Sequence, residues 1–467
     1  MTSAIRVGFS CVPITPPPGT PMAGFAARTL PSAGVHDPLR VRTMVVTSDE
    51  LGSADTAVVV ADLVSLSPAQ ATAIRRGIER EVGIPAAAVM VATTHTHGGP
   101  ATREDDGASP AVAEYVTSVR EAAARSVAEA MESRVPARML LEFGHEPSVG
   151  KNRRRPGGVI DPLVPTIRVE NAAGEVIGVV CCYACHPVTM GPDNRLITAD
   201  YPGAVVSALE AVYPHAVALF LTGCAGQINT GHSAQASLST QPSNVRTFRE
   251  MTRLGRAIAG AAVQASEHAA GPRGTPKATA PGAGGQARVR AVTVEVEAPR
   301  LPIDEPDTLR RMASEWRDQV GSPGPGSDGS TEQSDRLLRW AAWAERIAAS
   351  SPHPSSIPLD VTAMRWGDIC LVGLPGEPFV EFGLEIRQRA TASVVVAGYA
   401  NGCPGYVPHR SAYDEGGYEV LDAHRAAYGQ PAAFAPEAGE RLVAAALRAV
   451  DELGPFPRAG ETGVESS

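Results

Sequence analysis

Two histidines stand two residues apart in the run Val89-Met90-Val91-Ala92-Thr93-Thr94-His95-Thr96-His97-Gly98-Gly99-Pro100. Two imidazoles can share a metal ion, or one can bind it while the other moves a proton. The apolar, β-branched start of the run reads as a buried strand and Gly98-Gly99-Pro100 as its break. An i, i+2 spacing then sends both rings from one face of the strand's end, where open α/β sheets place their ligands. The plainer alternative is that one or both rings only hydrogen-bond a loop.

The pattern recurs along the chain. An apolar run at 176–183 leads to Cys185-His186-Pro187, one at 216–221 to Thr222-Gly223-Cys224-Ala225-Gly226-Gln227-Ile228-Asn229, one at 369–374 to Pro375-Gly376-Glu377, and one at 393–399 to Asn401-Gly402-Cys403-Pro404-Gly405-Tyr406. Glycine lets backbone approach a ligand, and a carboxylate that ends an apolar strand needs a partner. Two neutral imidazoles with one carboxylate are a donor set typical of catalytic zinc, which keeps a position open for water. Glu377 has a second reading as a cap of the following helix. Asp62, Asp200 and Asn229 read equally well as supports of the histidines or as loop caps.

The elements that must position these groups alternate. Strands are expected at 5–14, 39–46, 56–63, 138–143, 166–169 and 288–297, besides those above, and helices at 68–82, 111–131, 201–212, 244–267, 305–320, 332–349, 378–390 and 436–453. Ser67-Pro68 is a helix-start pair. A Gly/Ala/Pro-rich connector at 271–286 and a segment at 321–331 read as flexible insertions, and 459–467 as a disordered tail, leaving one elaborated catalytic domain over 1–458.

Of the 467 residues, 43% are hydrophobic and 19% charged, with a net charge of -9. That balance is globular, and with basic residues dispersed it argues against nucleic acid or an anionic membrane as partner. No stable membrane association is expected, and no export signal is visible at the N-terminus, so a cytoplasmic location is the expectation. Seven cysteines read as free thiols. Cys182-Tyr183-Ala184-Cys185-His186 matches the c-type haem attachment pattern, and the cysteine pair also admits a structural zinc knuckle. A buried strand and the lack of a second C-x-x-C argue against both.

Taken in order, Val7-Gly8, Ile14-Thr15-Pro16-Pro17, Gly34-Val35-His36-Asp37-Pro38-Leu39, Asp62, Thr94 through Pro100, Asn152-Arg153, His186 with Asp200, Gly223-Cys224-Ala225-Gly226, Pro375-Gly376-Glu377 and Tyr406 with Tyr418 resemble the motifs of the neutral/alkaline non-lysosomal ceramidase family. The resemblance implies an α/β fold of mixed β-sheets packed together with helices on the outer faces, and a Zn2+ site at converging strand ends. It implies that His95, His186, Glu377 and Tyr406 ligate zinc while His97, Arg153 and Tyr418 face the substrate. Zinc lowers the pKa of bound water toward about 7, giving a hydroxide able to attack an amide carbonyl. Tyr406 is the unusual ligand, because a phenol of pKa about 10 binds well only as phenolate. Arg153 and Tyr418 would donate to the developing oxyanion, and His97 would carry a proton to the leaving nitrogen.

Two departures bear on substrate. Gly226-Gln227 stands where family members commonly carry Gly-Asp, and the C-terminal β-sandwich of longer ceramidases is expected to be missing. With aromatics at 5% and no membrane-docking surface evident, the expected substrate is a small-molecule amide with a small or polar acyl group. Ceramide or another lipid-like amide, amide formation in the reverse direction, and an inactive zinc-containing binding protein are the alternatives.

Overall fold

The apolar runs Thr56–Ala61, Val89–Thr93 and Val217–Thr222 are buried along almost their whole length, as strands covered on both faces must be. In the computed structural model, which describes residues 5–103, 110–233, 237, 240–241, 243–271, 287–321 and 331–456, they belong to an eight-stranded sheet. Its strands are β1 (Ile5–Pro13), β2 (Arg40–Ser48), β3 (Thr56–Ala61), β4 (Val89–Thr93), β5 (Val135–His145), β6 (Leu163–Asn171), β7 (Val176–Tyr183) and β8 (Val217–Thr222), in the order β8-β7-β6-β5-β1-β2-β3-β4. The outer pairs β3/β4 and β7/β8 are parallel and the inner pairs antiparallel. The sheet is therefore mixed.

A four-stranded sheet, β9 (Val289–Pro299), β10 (Ser356–Trp366), β11 (Ile369–Gly373) and β12 (Val394–Ala397), lies against it. Val58, Met90, Val180 and Leu219 of the large sheet meet Val289, Met364, Trp366, Leu371 and Val395 of the small one in a shared apolar layer. Alternate residues face outward: Val59 and Val91 pack under α1 (Pro68–Val82) and α2 (Pro110–Glu132), and Val179 and Phe220 under α3 (Asp200–Val212) and α4 (Phe248–Ala270). Helices α5 (Pro306–Gly321) and α6 (Thr331–Ala349) form a hairpin between β9 and β10 with a small apolar cluster of its own, and α7 (Val380–Arg389) and α8 (Pro436–Glu452) cover the small sheet. Helices thus take the outer faces, as expected.

Local rules explain most boundaries. Ser67 and Gln70 form a reciprocal capping box at the start of α1, and Thr47 of β2 is followed by the turn that reverses into β3. Helix α4 begins later than expected because Thr247 caps it, its hydroxyl accepting from Glu250 N at 3.2 Å. Strand β10 was not anticipated. Asp360 and Arg365 interrupt its apolar alternation, but Asp360 accepts from Arg75 at 2.5 Å and Arg365 donates to Pro455 O at 2.8 Å, so both charges are satisfied inside the layers. Apart from Gly271, Gly321 and Thr331, the expected insertions and the tail lie outside the described residues. Among the described residues no helix is long and apolar enough to cross a membrane.

Candidate metal centre

His95 and His97 follow β4, whose end is tied to the chain beyond β12. Asn401 N donates to Val91 O at 2.6 Å and Thr93 N to Tyr399 O at 3.2 Å. The chain then turns, with Thr94 N on Ala61 O and His95 N on Leu63 O, both at 2.9 Å. His95 has φ +64°, a left-handed conformation that costs an L-residue roughly 1–2 kcal/mol and is held by these bonds. The two rings converge because of this turn, not because they share a strand face; the i, i+2 reading is corrected here. His97 Nε2 lies 3.2 Å from His95 Nε2. Gly24 sits against His97, where a Cβ would lie 2.7 Å from Cα and Cβ and 2.8 Å from the ring's Cγ, and Phe25 meets that ring edge-on at 5.0 Å.

His186 leaves the end of β7 and its backbone N donates to Ile228 O at 2.8 Å. Its Nδ1 faces Ala225 O at 2.6 Å, and Nδ1 of His95 faces Val64 O at 2.5 Å. With protons on Nδ1 in both rings, both Nε2 lone pairs are free to face a common point. Glu377 follows β11 of the small sheet. Its two-residue strand Glu377–Pro378 pairs in parallel with Tyr406–Val407, Glu377 opposite Tyr406, and Gly376 takes φ +77° where a Cβ would meet Gly405 O at 2.8 Å. Glu377 Oε2 lies 2.7 Å from His186 Nε2 and 3.4 Å from His95 Nε2, and Tyr406 OH lies 3.4 Å from His186 Nε2. Arg153 donates to Tyr406 OH at 3.0 Å, to Gly226 O at 2.8 Å and to Glu419 Oε1 at 2.7 Å. The Tyr418 ring meets that of Tyr406 at 5.9 Å.

Burial governs the charges. His186 and Glu377 are 0% and 1% exposed. Burial, only partly opposed by Glu377, lowers His186 to about 4, and burial with the neighbouring imidazoles His95 and His186 holds His97 well below its usual value. Burial works to raise the Glu377 carboxyl, yet the imidazoles of His95 and His186 hold it well below the carboxylate range. Near neutral pH the site therefore offers neutral imidazoles at His97 and His186 and an ionised carboxylate at Glu377. Burial and Glu377 push the Tyr406 phenol well above 10 while Arg153 pulls it down.

These donors fit a metal ion. Ligand atoms about 2.0–2.1 Å from a tetrahedral ion stand about 3.3 Å apart, close to the His95–His97, His95–Glu377 and His186–Tyr406 separations of 3.2, 3.4 and 3.4 Å. The donor atoms of His95, His97 and His186 all lie within 4.8 Å of one another. The donor atom of His97 thus sits within ligand range of those of His95 and His186.

The other candidates sort cleanly. Asp200 accepts from the backbone N–H groups of Thr189, Met190 and Tyr201, Asp62 from Arg40 N and Asn229 from Gly231 N and His232 N; all three are loop caps. Glu377 does not cap α7, whose N-cap is Phe379. Gln227 ties that helix's start instead, accepting from Val380 N and donating to Glu381. Cys182 packs between the sheets and Cys185 under α3 and α4, so the two thiols do not face one ligand and the haem and knuckle readings fall. All seven cysteines are free. Three residues were missed: Tyr399, 3.4 Å from His186 Nδ1, Glu419 beneath Arg153, and Tyr428, whose hydroxyl donates to Glu377 Oε1.

Residues 5–219 match the family model described as neutral/alkaline non-lysosomal ceramidase, N-terminal. Over these residues the chain is similar to that family. His95, His97, Arg153 and His186 lie inside the ceramidase match; Glu377 and Tyr406, on a two-stranded pair of their own, and Tyr418, at the start of the π-helical turn Tyr418–Asp422, lie beyond it. The chain is 25% identical to the neutral ceramidase of Mycobacterium tuberculosis (strain ATCC 25618 / H37Rv), in an alignment covering 85% of this chain and 70% of that protein. In structure it is similar to the neutral ceramidase of Pseudomonas aeruginosa, with a TM-score of 0.71 at 20% identity over 98% of this chain and 76% of that one. A ceramidase complexed with C2 gives a TM-score of 0.70 at 20% identity over 98% and 77%. The shared ceramidase fold is what these two likenesses establish.

Proposed function

We propose that the chain is a zinc-dependent amidohydrolase cleaving a linear N-acyl carboxamide. The observation that carries the reading is the convergence of His95, His186 and Glu377, from three separate strand ends, on one buried point. His95, His186, Glu377 and Tyr406 hold the ion, which when bound supplies Lewis-acid activation of water and of the scissile carbonyl. His97, the most exposed of the three imidazoles, holds a proton at Nε2 and passes it to the leaving nitrogen. Tyr418 donates to the oxygen that gains charge, and Arg153 holds the Tyr406 oxygen while adding positive potential there.

The substrate reading is a short or polar acyl-amide. Phe25, against His97, is flanked by the guanidinium groups of Arg28 at 4.9 Å and Arg246 at 5.8 Å, which makes that side of the site cationic rather than lipid-like. Ceramide is the second reading, favoured by the name of the Mycobacterium tuberculosis relative. Zinc quantification with a matched panel of short-chain, polar and ceramide amides, run in both directions, separates them. Zinc near one equivalent with chelator-sensitive hydrolysis of the polar amides is the expected result. Zinc binding with no turnover in either direction would favour a binding protein, and no zinc would end the proposal.

A further inference from the structure

Glu377 has two oxygens and only one faces the imidazoles. Oε2 approaches His186 and His95, while Oε1 accepts the hydroxyl of Tyr428. We propose that Tyr428 is the positioning residue that presents Glu377 to the metal, and that the α5–α6 hairpin braces Tyr428 for that role. The inference rests on the metal reading above.

A carboxylate that can swing uses either oxygen or both; a hydroxyl on the outer oxygen fixes which lone pairs remain for the ion. Tyr428 is itself locked. Its ring is 9% exposed and packs nearly perpendicular to Tyr406 at 6.1 Å, with Cys403 Sγ 3.8 Å from its hydroxyl. Its backbone is held from outside the site. Arg103 donates to Ala427 O at 2.5 Å and Tyr428 O at 2.6 Å, Trp343 Nε1 to Gln430 O at 2.9 Å, and Arg300 to Gln430 Oε1 at 2.6 Å. Gly429 takes φ +59° between these anchors. Trp343 lies on α6, in a hairpin whose cluster of Leu309, Ala313, Ala341, Ala344 and Ile347 is separate from the cores of the two sheets. The hairpin therefore adds little to the layers, and its polar contacts converge on the turn that carries Tyr428.

The test is zinc affinity of the full chain, measured by competition with a chromophoric chelator, beside thermal unfolding of the metal-free protein. Tyr428→Phe keeps the ring and removes the hydroxyl; zinc should bind 10- to 100-fold more weakly with the metal-free melting temperature little changed. Trp343→Phe should weaken zinc less, and should add nothing in the Tyr428→Phe background, because its effect runs through the hydroxyl. Wild-type affinity in Tyr428→Phe overturns the inference, as does an additive double variant. If Tyr428→Phe does not fold, unchanged zinc affinity in Trp343→Phe overturns it instead. Wild-type protein that binds no zinc overturns the metal reading and this inference together, which distinguishes the two failures.

Discussion

Arg153 donates to the Tyr406 phenol oxygen at 3.0 Å while its Nε is held by Glu419 at 2.7 Å. A phenol is a good metal ligand only as phenolate, and here burial and Glu377 oppose ionisation while Arg153 favours it. The guanidinium and the phenol should therefore act as one unit. Arg153→Lys and Tyr406→Phe are each expected to lower kcat substantially, and the double variant to lose little more than the worse single one. A coupling of about 0.5–3 kcal/mol from the four kcat/KM values would show this; additive losses would refute it.

His95 and His97 have their Nε2 atoms 3.2 Å apart yet are assigned different work. His95 is braced by Val64 O through Nδ1, whereas Nδ1 of His97 has no hydrogen-bond partner among the described residues, and a ligand imidazole ordinarily has its outer nitrogen fixed. His95→Ala and His186→Ala should lose zinc. His97→Ala should retain it and lose turnover by about 10²–10⁴-fold. Metal analysis beside rates checks the split; zinc loss in His97→Ala equal to that in His95→Ala makes His97 a ligand.

The layered fold was legible because the apolar runs are long and unambiguous: residues 176–183 and 216–221 read as buried strands, and strands stand at Val176–Tyr183 and Val217–Thr222. Strand β10 was not, because the partners that satisfy Asp360 and Arg365, namely Arg75 and Pro455, are remote in sequence. The site divides in the same way. Histidines and a Pro-Gly-Glu turn announce themselves by type, but the turn that makes His95 and His97 converge depends on Leu63 O and Val64 O accepting their bonds. Tyr428 carries no local mark at all. It reaches Glu377 only because the 423–430 turn is held by Arg103 and α6, a relation no spacing in the chain records. Asp62 and Asp200 were ambiguous for the converse reason, since a carboxylate capping a loop and one bracing a ligand look alike until their donors are seen.

Gly24 tests how tightly the wall behind His97 is built. Its φ of +102° disfavours any side chain, and a Cβ would lie 2.7 Å from Cα and Cβ of His97. Gly24→Ala should cost about 1–2 kcal/mol for the backbone alone and more if the ring cannot move. The informative result is a fall in kcat exceeding what the stability loss explains, with zinc content unchanged. Unaltered kcat in a folded variant would mean that the position of His97 is not set from this side.

The buried imidazoles also predict how the metal-free protein responds to acid. His186 is lowered by burial to about 4, so below pH 6.5 the unfolded chain takes up a proton that the folded chain refuses until about pH 4. Stability therefore falls with pH across that window, by about 2 kcal/mol at pH 5 for this one group. Asp62 has the opposite sign. Burial raises it to about 6, so the folded state binds its proton first and gains stability as pH drops through 6. Comparing metal-free wild type with metal-free His186→Asn removes the Asp62 contribution, which both share. Urea unfolding at pH 7 and pH 5 should show wild type losing about 2 kcal/mol more than the variant. Equal losses would mean that His186 is protonated in the folded protein well above pH 4, and that the imidazole is not held ready for a metal.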